Sequence, residues 1–171
     1  MKRQHGFTLI ELMITLALLG IILGLAIPAV TNFTIKQRVS SKANEMMLSL
    51  AFARSEALKL NQDVRVIPRT GTASGWSDGW CIGPTTIGGD CNHADVIRIF
   101  AATNGVSITS SGIGNPPVLI FRRNGAASNN VNAFLKVTSP SLDSSSDNAR
   151  CITLTPLGRA EIEKTTRDAA C

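Results

Sequence analysis

The feature that most limits how this chain can fold is an uninterrupted apolar run near its N-terminus. From Leu12 to Val30 the sequence contains no charged residue and a single hydroxyl, that of Thr15. As an α-helix this run would be roughly 28 Å long, because a helix rises about 1.5 Å per residue, and the hydrocarbon core of a bilayer is about 30 Å thick. The run therefore predicts a membrane-spanning helix.

A single carboxylate, that of Glu11, stands at the start of the run. Burying a charge in an apolar medium is costly unless the charge is paired, and ionisable residues in membrane segments usually have a function. We therefore expect Glu11 to meet a group of opposite charge.

A secretory signal peptide is the alternative interpretation of residues 1–30, because Lys2 and Arg3 precede the apolar run. Signal peptides have apolar cores of about 7–15 residues, which is shorter than this run, and the candidate cleavage site at Ala26-Ile27-Pro28 contains a proline. A membrane anchor with its basic flank in the cytoplasm fits the sequence better.

The segment Gly6-Phe7-Thr8-Leu9-Ile10-Glu11-Leu12 resembles the processing signature of type IV pilins and type II secretion pseudopilins. The resemblance implies cleavage after Gly6 by a prepilin peptidase and N-methylation of the new terminus at Phe7. It also implies that Glu11 neutralises the terminal amine of a neighbouring subunit when the helices bundle into a filament. A buried carboxylate is tolerated when an ammonium lies close to it. A plain single-span anchor with an incidental Glu11 is the alternative.

The predicted organisation is a leader peptide (1–6), a transmembrane and filament-core helix (7–30) and a globular periplasmic head (31–171). We expect the helix to continue through residues 31–61 as an amphipathic helix that ends near Asn61-Gln62, because apolar residues recur there at steps of three and four. These residues are Val39, Ala43, Met46, Met47, Leu50, Ala53, Ala57 and Leu58, whereas Lys36, Arg38, Lys42, Glu45, Arg54 and Glu56 fall largely off the stripe.

Short β-rich runs separated by Gly, Asn, Ser and Pro clusters fill residues 62–171. The fold class is therefore α+β, with a long N-terminal helix packed on one or two antiparallel sheets, as in the pilin-like fold. The predicted strands are Val64–Ile67, Trp80–Ile82, Val96–Phe100, Val106–Ile108, Val118–Phe121, Phe134–Val137 and Cys151–Leu154.

The segment Ala53–Val64 resembles the subgroup that contains the minor pilins FimT and FimU and the pseudopilin H of type II secretion. Later blocks at Trp76–Trp80, Phe121–Gly125 and Ile152–Arg159 resemble that subgroup in the same order. The resemblance implies a minor pilin at or near the pilus tip, which helps to initiate assembly with other minor and major pilins. Pseudopilin H of a secretion system and a DNA-binding pilin for natural transformation are the alternatives.

Four cysteines form an even set in a head predicted to lie in an oxidising compartment. We favour the disulfides Cys81–Cys91 and Cys151–Cys171, because each closes a short local loop, although three connectivities are possible. A zinc site is disfavoured, because no Cys-x-x-Cys pair occurs and the two histidines lie far apart in sequence.

Direct DNA capture is not favoured by the C-terminal sequence. The resemblance to FimT-type pilins that bind DNA implies a C-terminal Gly-Arg-x-Arg motif that contacts phosphates. In this chain Gly158-Arg159-Ala160-Glu161 has a carboxylate in place of the second arginine. A carboxylate repels phosphate and offsets the attraction of one exposed arginine. Lys164 and Arg167 leave a weak basic strip together with Arg159, which we expect to close a turn or to pair with Glu161 or Asp168.

No enzyme motif, cofactor or small-molecule substrate is indicated by the sequence. The chain lacks tyrosine, a Gly-x-Ser-x-Gly elbow and a phosphate loop. Asp90, Asn92 and Asp95 hint at calcium, but their spacing departs from known calcium loops, and a polar loop is the favoured interpretation. We expect Trp76 and Trp80 to plug the edge of a sheet rather than to form a binding platform.

Overall fold

A computed structural model of the chain describes residues 7–128 and 133–171, and for residues 25–29 it describes the helical backbone alone. Within these residues one long helix, α1 (Leu9–Leu60), precedes eight strands. Two short 3-10 helices, Gly75–Asp78 and Thr85–Ile87, flank the second strand. The strands are β1 (Val64–Pro68), β2 (Gly79–Pro84), β3 (Arg98–Ala101), β4 (Ser107–Ser111), β5 (Leu119–Phe121), β6 (Ala133–Thr138), β7 (Ala149–Leu154) and β8 (Ala160–Thr165).

The chain divides into two compact units between Thr34 and Ile35. The first unit holds the N-terminal part of α1, and the second holds the rest of α1 and the eight strands. In the part of the chain that the structure describes, no helix meets the length and hydropathy required of a membrane span. Membrane anchoring through residues 7–30 stays a prediction.

Both ends of α1 have local caps. The backbone N–H of Glu11 donates to Oγ1 of Thr8 at 3.3 Å, so Thr8 serves as the N-cap. At the other end Asn61 has a φ of 51°, and the N–H of Gln62 donates to the carbonyl of Ala57 at 3.3 Å. A left-handed Asn directly after a helix is a common C-terminal cap. The helix therefore ends next to the position predicted from the sequence.

Two four-stranded antiparallel sheets follow the helix. Sheet A has the strand order β3-β2-β1-β5, and sheet B has the order β4-β6-β7-β8. The predicted α+β class, with a long helix packed on antiparallel sheets, is thereby confirmed.

One face of α1 after Ile35 shares a hydrophobic core with both sheets. Six of the eight predicted stripe residues are buried, whereas Met47 is half-buried and Leu58 is exposed. The six buried residues are Val39, Ala43, Met46, Leu50, Ala53 and Ala57.

Two of the charged residues predicted to fall off the apolar stripe, Lys42 and Glu56, are nevertheless buried. The Lys42 ammonium donates to Glu45 at 2.6 Å and to the carbonyl of Ala101, so its charge and hydrogen bonds are satisfied at the edge of the core. Glu56 accepts from Lys59 at 3.2 Å. Local pairs of this kind are what permit a charged residue to be buried.

Trp80 lies in the core on β2, an interior strand of sheet A, and not at a sheet edge as predicted. Its ring stacks on Phe100 with centroids 5.1 Å apart, and the Lys42 ammonium lies 4.5 Å from the ring centroid. The indole N–H donates to Oγ of Ser49 on α1 at 3.0 Å. This hydrogen bond joins the helix to sheet A. Trp76 is fully buried as well.

Strand β8 was not predicted from the sequence. Its residues alternate Glu161 and Glu163 with Ile162, so the strand has one large apolar side chain and no run of β-formers. Antiparallel pairing with β7 forms the strand, and Ile162 packs against the core. Backbone pairing at a sheet edge, rather than composition, therefore accounts for β8.

We predict that Ser49→Ala destabilises the head by about 1–3 kcal/mol, because the buried indole N–H of Trp80 loses its acceptor. Chemical denaturation followed by tryptophan fluorescence measures the free energy of unfolding. Ser55→Ala is the matched control, because Ser55 is exposed on the same helix and its hydroxyl donates to the carbonyl of Phe52 rather than to a strand of the head. Equal stability of the two variants would contradict the role of the Ser49 hydroxyl.

Candidate assembly site

The predicted processing site lies at the start of α1. Gly6 is outside the residues that the structure describes. Phe7 precedes the helix with 85% of its surface exposed, followed by the N-cap Thr8.

Glu11 lies in the first turn of α1 and is exposed. Its position at the helix N-terminus is favourable for a negative charge, because the backbone N–H groups there carry a partial positive charge. Within residues 7–128 and 133–171, the structure gives its carboxylate no ion pair. Among the described residues, the Glu11 carboxylate is therefore exposed and without a counter-ion.

The first part of α1 carries large apolar side chains that are exposed around the helix. Phe33, with 67% of its surface exposed, is among the last of them. Two hydroxyls in this unit bond to carbonyls within the helix: Thr15 donates to Leu12, and Thr34 donates to Val30, each at 2.8 Å. Exposed apolar surface on this scale marks an interaction or membrane-facing surface. The side chains include Leu9, Ile10, Leu12, Met13, Ile14, Leu16, Leu18, Leu19, Ile21, Ile22 and Leu23.

The structure contains two disulfide bonds, Cys81–Cys91 and Cys151–Cys171, which are the pairs favoured from the sequence. The first pair joins β2 to the loop before β3. The second fixes the C-terminal strap (residues 166–171) to β7.

Side-chain contacts also hold the C-terminal strap. Arg167 donates to the carbonyl of Leu142 at 3.0 Å, and Lys136 on β6 donates to the carbonyl of Ala169. Arg167 also pairs with Asp168 at 2.9 Å. That hydrogen bond lowers the pKa of the Asp168 carboxyl and raises the pKa of the Arg167 guanidinium. The strap therefore uses Arg167 as a structural cation.

The three residues proposed for a basic strip do not form one free basic surface. Arg159 pairs with Glu161 at 3.3 Å, which is one of the outcomes expected from the sequence. Arg167 is engaged as described above. Lys164 is exposed on β8, in register with Arg150 on β7. Two of the three cations are therefore already neutralised by carboxylates.

The loop with Asp90, Asn92 and Asp95 uses its carboxylates locally. Asp90 accepts the N–H of Asn92 at 2.8 Å, and Asp95 accepts the hydroxyl of Thr86. Among the residues that the structure describes, no group of three or more His, Cys, Asp or Glu is arranged to hold a metal ion.

Arg98 on β3 was not predicted from the sequence as a site residue. Its guanidinium lies 5.7 Å from the ring centroid of Phe52 on α1 and 5.2 Å from that of Phe100. The only sequence signal was an arginine inside a run of β-forming apolar residues.

Comparison with known protein families decides the family. The model of the type II transport protein GspH matches residues 42–158, which is more than half of the chain. The chain belongs to the GspH family. The model of the prokaryotic N-terminal methylation motif matches residues 1–27, so the resemblance stated from the sequence is confirmed.

Curated relatives of this GspH-family chain include fimbrial proteins. The probable minor fimbrial protein of Dichelobacter nodosus is 27% identical over 128 residues, which are 73% of this chain and 61% of the relative. A fimbrial protein of Pseudomonas aeruginosa is 41% identical over 59 residues, which are 34% of this chain and 38% of the relative. The chain thus spans less than two thirds of the length of either relative.

Solved structures of similar fold include a pilin and a pseudopilin. The type IV minor pilin FimU of Pseudomonas aeruginosa aligns with a TM-score of 0.60 at 20% identity, covering 77% of this chain and 92% of FimU. The minor pseudopilin EpsH of Vibrio cholerae aligns with a TM-score of 0.51 at 13% identity, covering 77% of this chain and 98% of EpsH. The pilin-like fold of the GspH-family chain is thereby confirmed.

We predict that Cys171→Ser releases the C-terminal strap, because Cys171 then no longer holds it to β7. Loss of a disulfide that closes a loop of this length costs about 3 kcal/mol. Hydrogen exchange measured by mass spectrometry should show faster exchange in residues 166–171 and in β8.

Sheet A is the internal control, because Cys81–Cys91 remains intact in this variant. Intact mass with and without reductant should show one remaining disulfide in Cys171→Ser and two in the parent chain. Unchanged exchange in the strap would contradict this role of the disulfide.

Proposed function

We propose that this chain is a minor type IV pilin, incorporated at or near the pilus tip, where it helps to initiate assembly with other minor and major pilins. The observation that supports this most directly is the carboxylate of Glu11, which has no ion pair in the described chain and stands at the start of an exposed apolar helix. Its role is to pair with the terminal amine of a neighbouring subunit while the apolar helices bundle.

Maturation of the chain precedes its assembly. A prepilin peptidase cleaves after Gly6, and the new terminus at Phe7 is N-methylated. Before assembly, residues 7–30 hold the chain in the inner membrane with the head in the periplasm, where its cysteines oxidise. The chain then enters the extracellular pilus. Its work is packing and charge pairing, not catalysis.

A minor pseudopilin of type II secretion is the second candidate. The match to the GspH family model and the fold shared with EpsH favour it. The fold shared with FimU and the fimbrial names of the relatives favour the pilus. In both candidates Glu11 pairs with the terminal amine of a neighbouring subunit.

We predict that Glu11→Gln leaves the chain in the membrane but reduces its recovery in sheared pili by more than about tenfold, because removing one partner of a buried ion pair costs about 3–5 kcal/mol. Immunoblots of membrane and sheared fractions from the native host measure both amounts.

Two further variants separate charge pairing from capping. Glu11→Asp keeps the charge and should retain part of the incorporation. Thr8→Val removes the N-cap acceptor while leaving Glu11 in place, and should have the smaller effect. Normal recovery of Glu11→Gln in sheared pili would overturn the pairing role.

We also predict that the purified full chain in detergent does not retard duplex DNA at about 150 mM salt, because Arg159 and Arg167 are paired with carboxylates. Glu161→Arg frees Arg159 and adds a cation, and should raise both the affinity and the salt dependence of any binding. Retardation by the parent chain with a steep salt slope would favour the DNA-binding alternative.

A further inference from the structure

Strand β3 forms an edge of sheet A that is open to pairing with another strand. Sheet edges expose backbone N–H and C=O groups, and proteins normally cover them or mark them with charges. The edge strand β4 is covered, because Ser110 donates to the carbonyl of Ala73 and Ile108 exchanges hydrogen bonds with the hydroxyl of Ser77.

The other two edges are also protected. On β5, the N–H of Ser128 donates to the carbonyl of Ile120, and Ala127 forms a bridge with Phe121. Strand β8 carries three charged residues among six, which disfavours pairing with another chain. Within the described residues, β3 is covered at its edge only where Lys42 donates to the carbonyl of Ala101.

Two grooves border β3, one on each face of sheet A. The helix-side groove, of about 430 Å³, lies between β3 and α1 and is lined in part by Leu48, Phe52 and Phe100. The outer groove, of about 610 Å³, is lined in part by Ile97 and Ile99. Leu48 and Ile99 are 66% and 55% exposed, so both grooves present apolar surface to solvent. An added strand would direct alternate side chains into the two grooves, because side chains alternate between the faces of a sheet.

Arg98 gives this surface a charge preference. Its guanidinium lies over Phe52 and Phe100 in the helix-side groove and, in the described part of the chain, pairs with no carboxylate. Glu45, the acidic residue of the same groove, is already neutralised by Lys42. The groove therefore favours an acidic side chain from a partner.

We propose that β3 is a docking edge for an extended, acidic segment of a neighbouring pilin-type subunit, which adds to sheet A as a fifth strand. Backbone hydrogen bonds to β3 hold the segment, apolar side chains enter the grooves, and a carboxylate meets Arg98. A second copy of this chain that docks through the same strand is a poor occupant, because β3 contains no acidic residue and supplies no carboxylate to Arg98. This inference rests on the proposed function, since it names a contact between subunits.

The test uses the full chain in detergent micelles and three fluorescent peptides of about six residues. One peptide alternates valine and glutamate, one alternates valine and lysine, and one is the acidic peptide with proline at its centre. Fluorescence anisotropy measures binding, and hydrogen exchange locates it. We expect saturable binding of the acidic peptide with slower exchange in β3, and affinities weaker by roughly tenfold or more for the other two.

Variants on β3 test the assignment. Arg98→Glu should reverse the preference between the acidic and basic peptides, and Ile99→Lys should weaken binding of the acidic peptide. Both side chains are exposed, and circular dichroism checks that the fold is retained. Glu163→Lys on the edge strand β8 is the matched control and should bind the acidic peptide as the parent chain does.

Three results would overturn the proposal: no saturable binding of the acidic peptide, binding that neither β3 variant changes, or self-association of the chain that Ile99→Lys abolishes. Failure here is distinct from failure of the proposed function. The Glu11→Gln measurement in sheared pili does not depend on β3, so normal dependence on Glu11 without peptide binding would reject the docking edge alone.

Discussion

The head depends on the burial of one face of α1 against two sheets. That face combines the small buried residues Ala43, Ala53 and Ala57 with the larger Met46 and Leu50, and all five belong to one hydrophobic core with residues of both sheets. Neither sheet encloses a core alone, because each presents one apolar face. The second half of α1 is therefore what makes two four-stranded sheets into one folded unit.

The same helix meets a different requirement before Ile35. There most of the described side chains are apolar and exposed, and the hydroxyls of Thr15 and Thr34 bond to carbonyls within the helix, as suits an apolar surrounding. Its one acidic residue, Glu11, has its backbone N–H satisfied by Thr8, whereas its carboxylate has no ion pair within the described residues. The helix α1 thus has a buried apolar face after Ile35 and exposed apolar side chains before it.

Much of this could be predicted from local patterns. The helix, the stripe and seven of the eight strands follow from periodicity, and the structure contains the two disulfides favoured from the sequence. What the patterns missed depends on contacts distant in sequence. Lys42 is buried because the carbonyl of Ala101 and the ring of Trp80 lie beside it, and β8 forms because β7 pairs with it. The proposed docking edge at β3 could not be predicted from the sequence either, because whether a strand lies at an open edge depends on which other strands pair with it.

The burial of Trp76 and Trp80 has a practical consequence for studying this protein. The chain has two tryptophans and no tyrosine, so its near-ultraviolet emission arises almost entirely from indoles that are both shielded from water inside the head. The wavelength of maximum emission therefore reports how this interior is packed, without any added dye. The apolar segment before Ile35 has no tryptophan, so lipid or detergent around that segment does not touch an emitting indole.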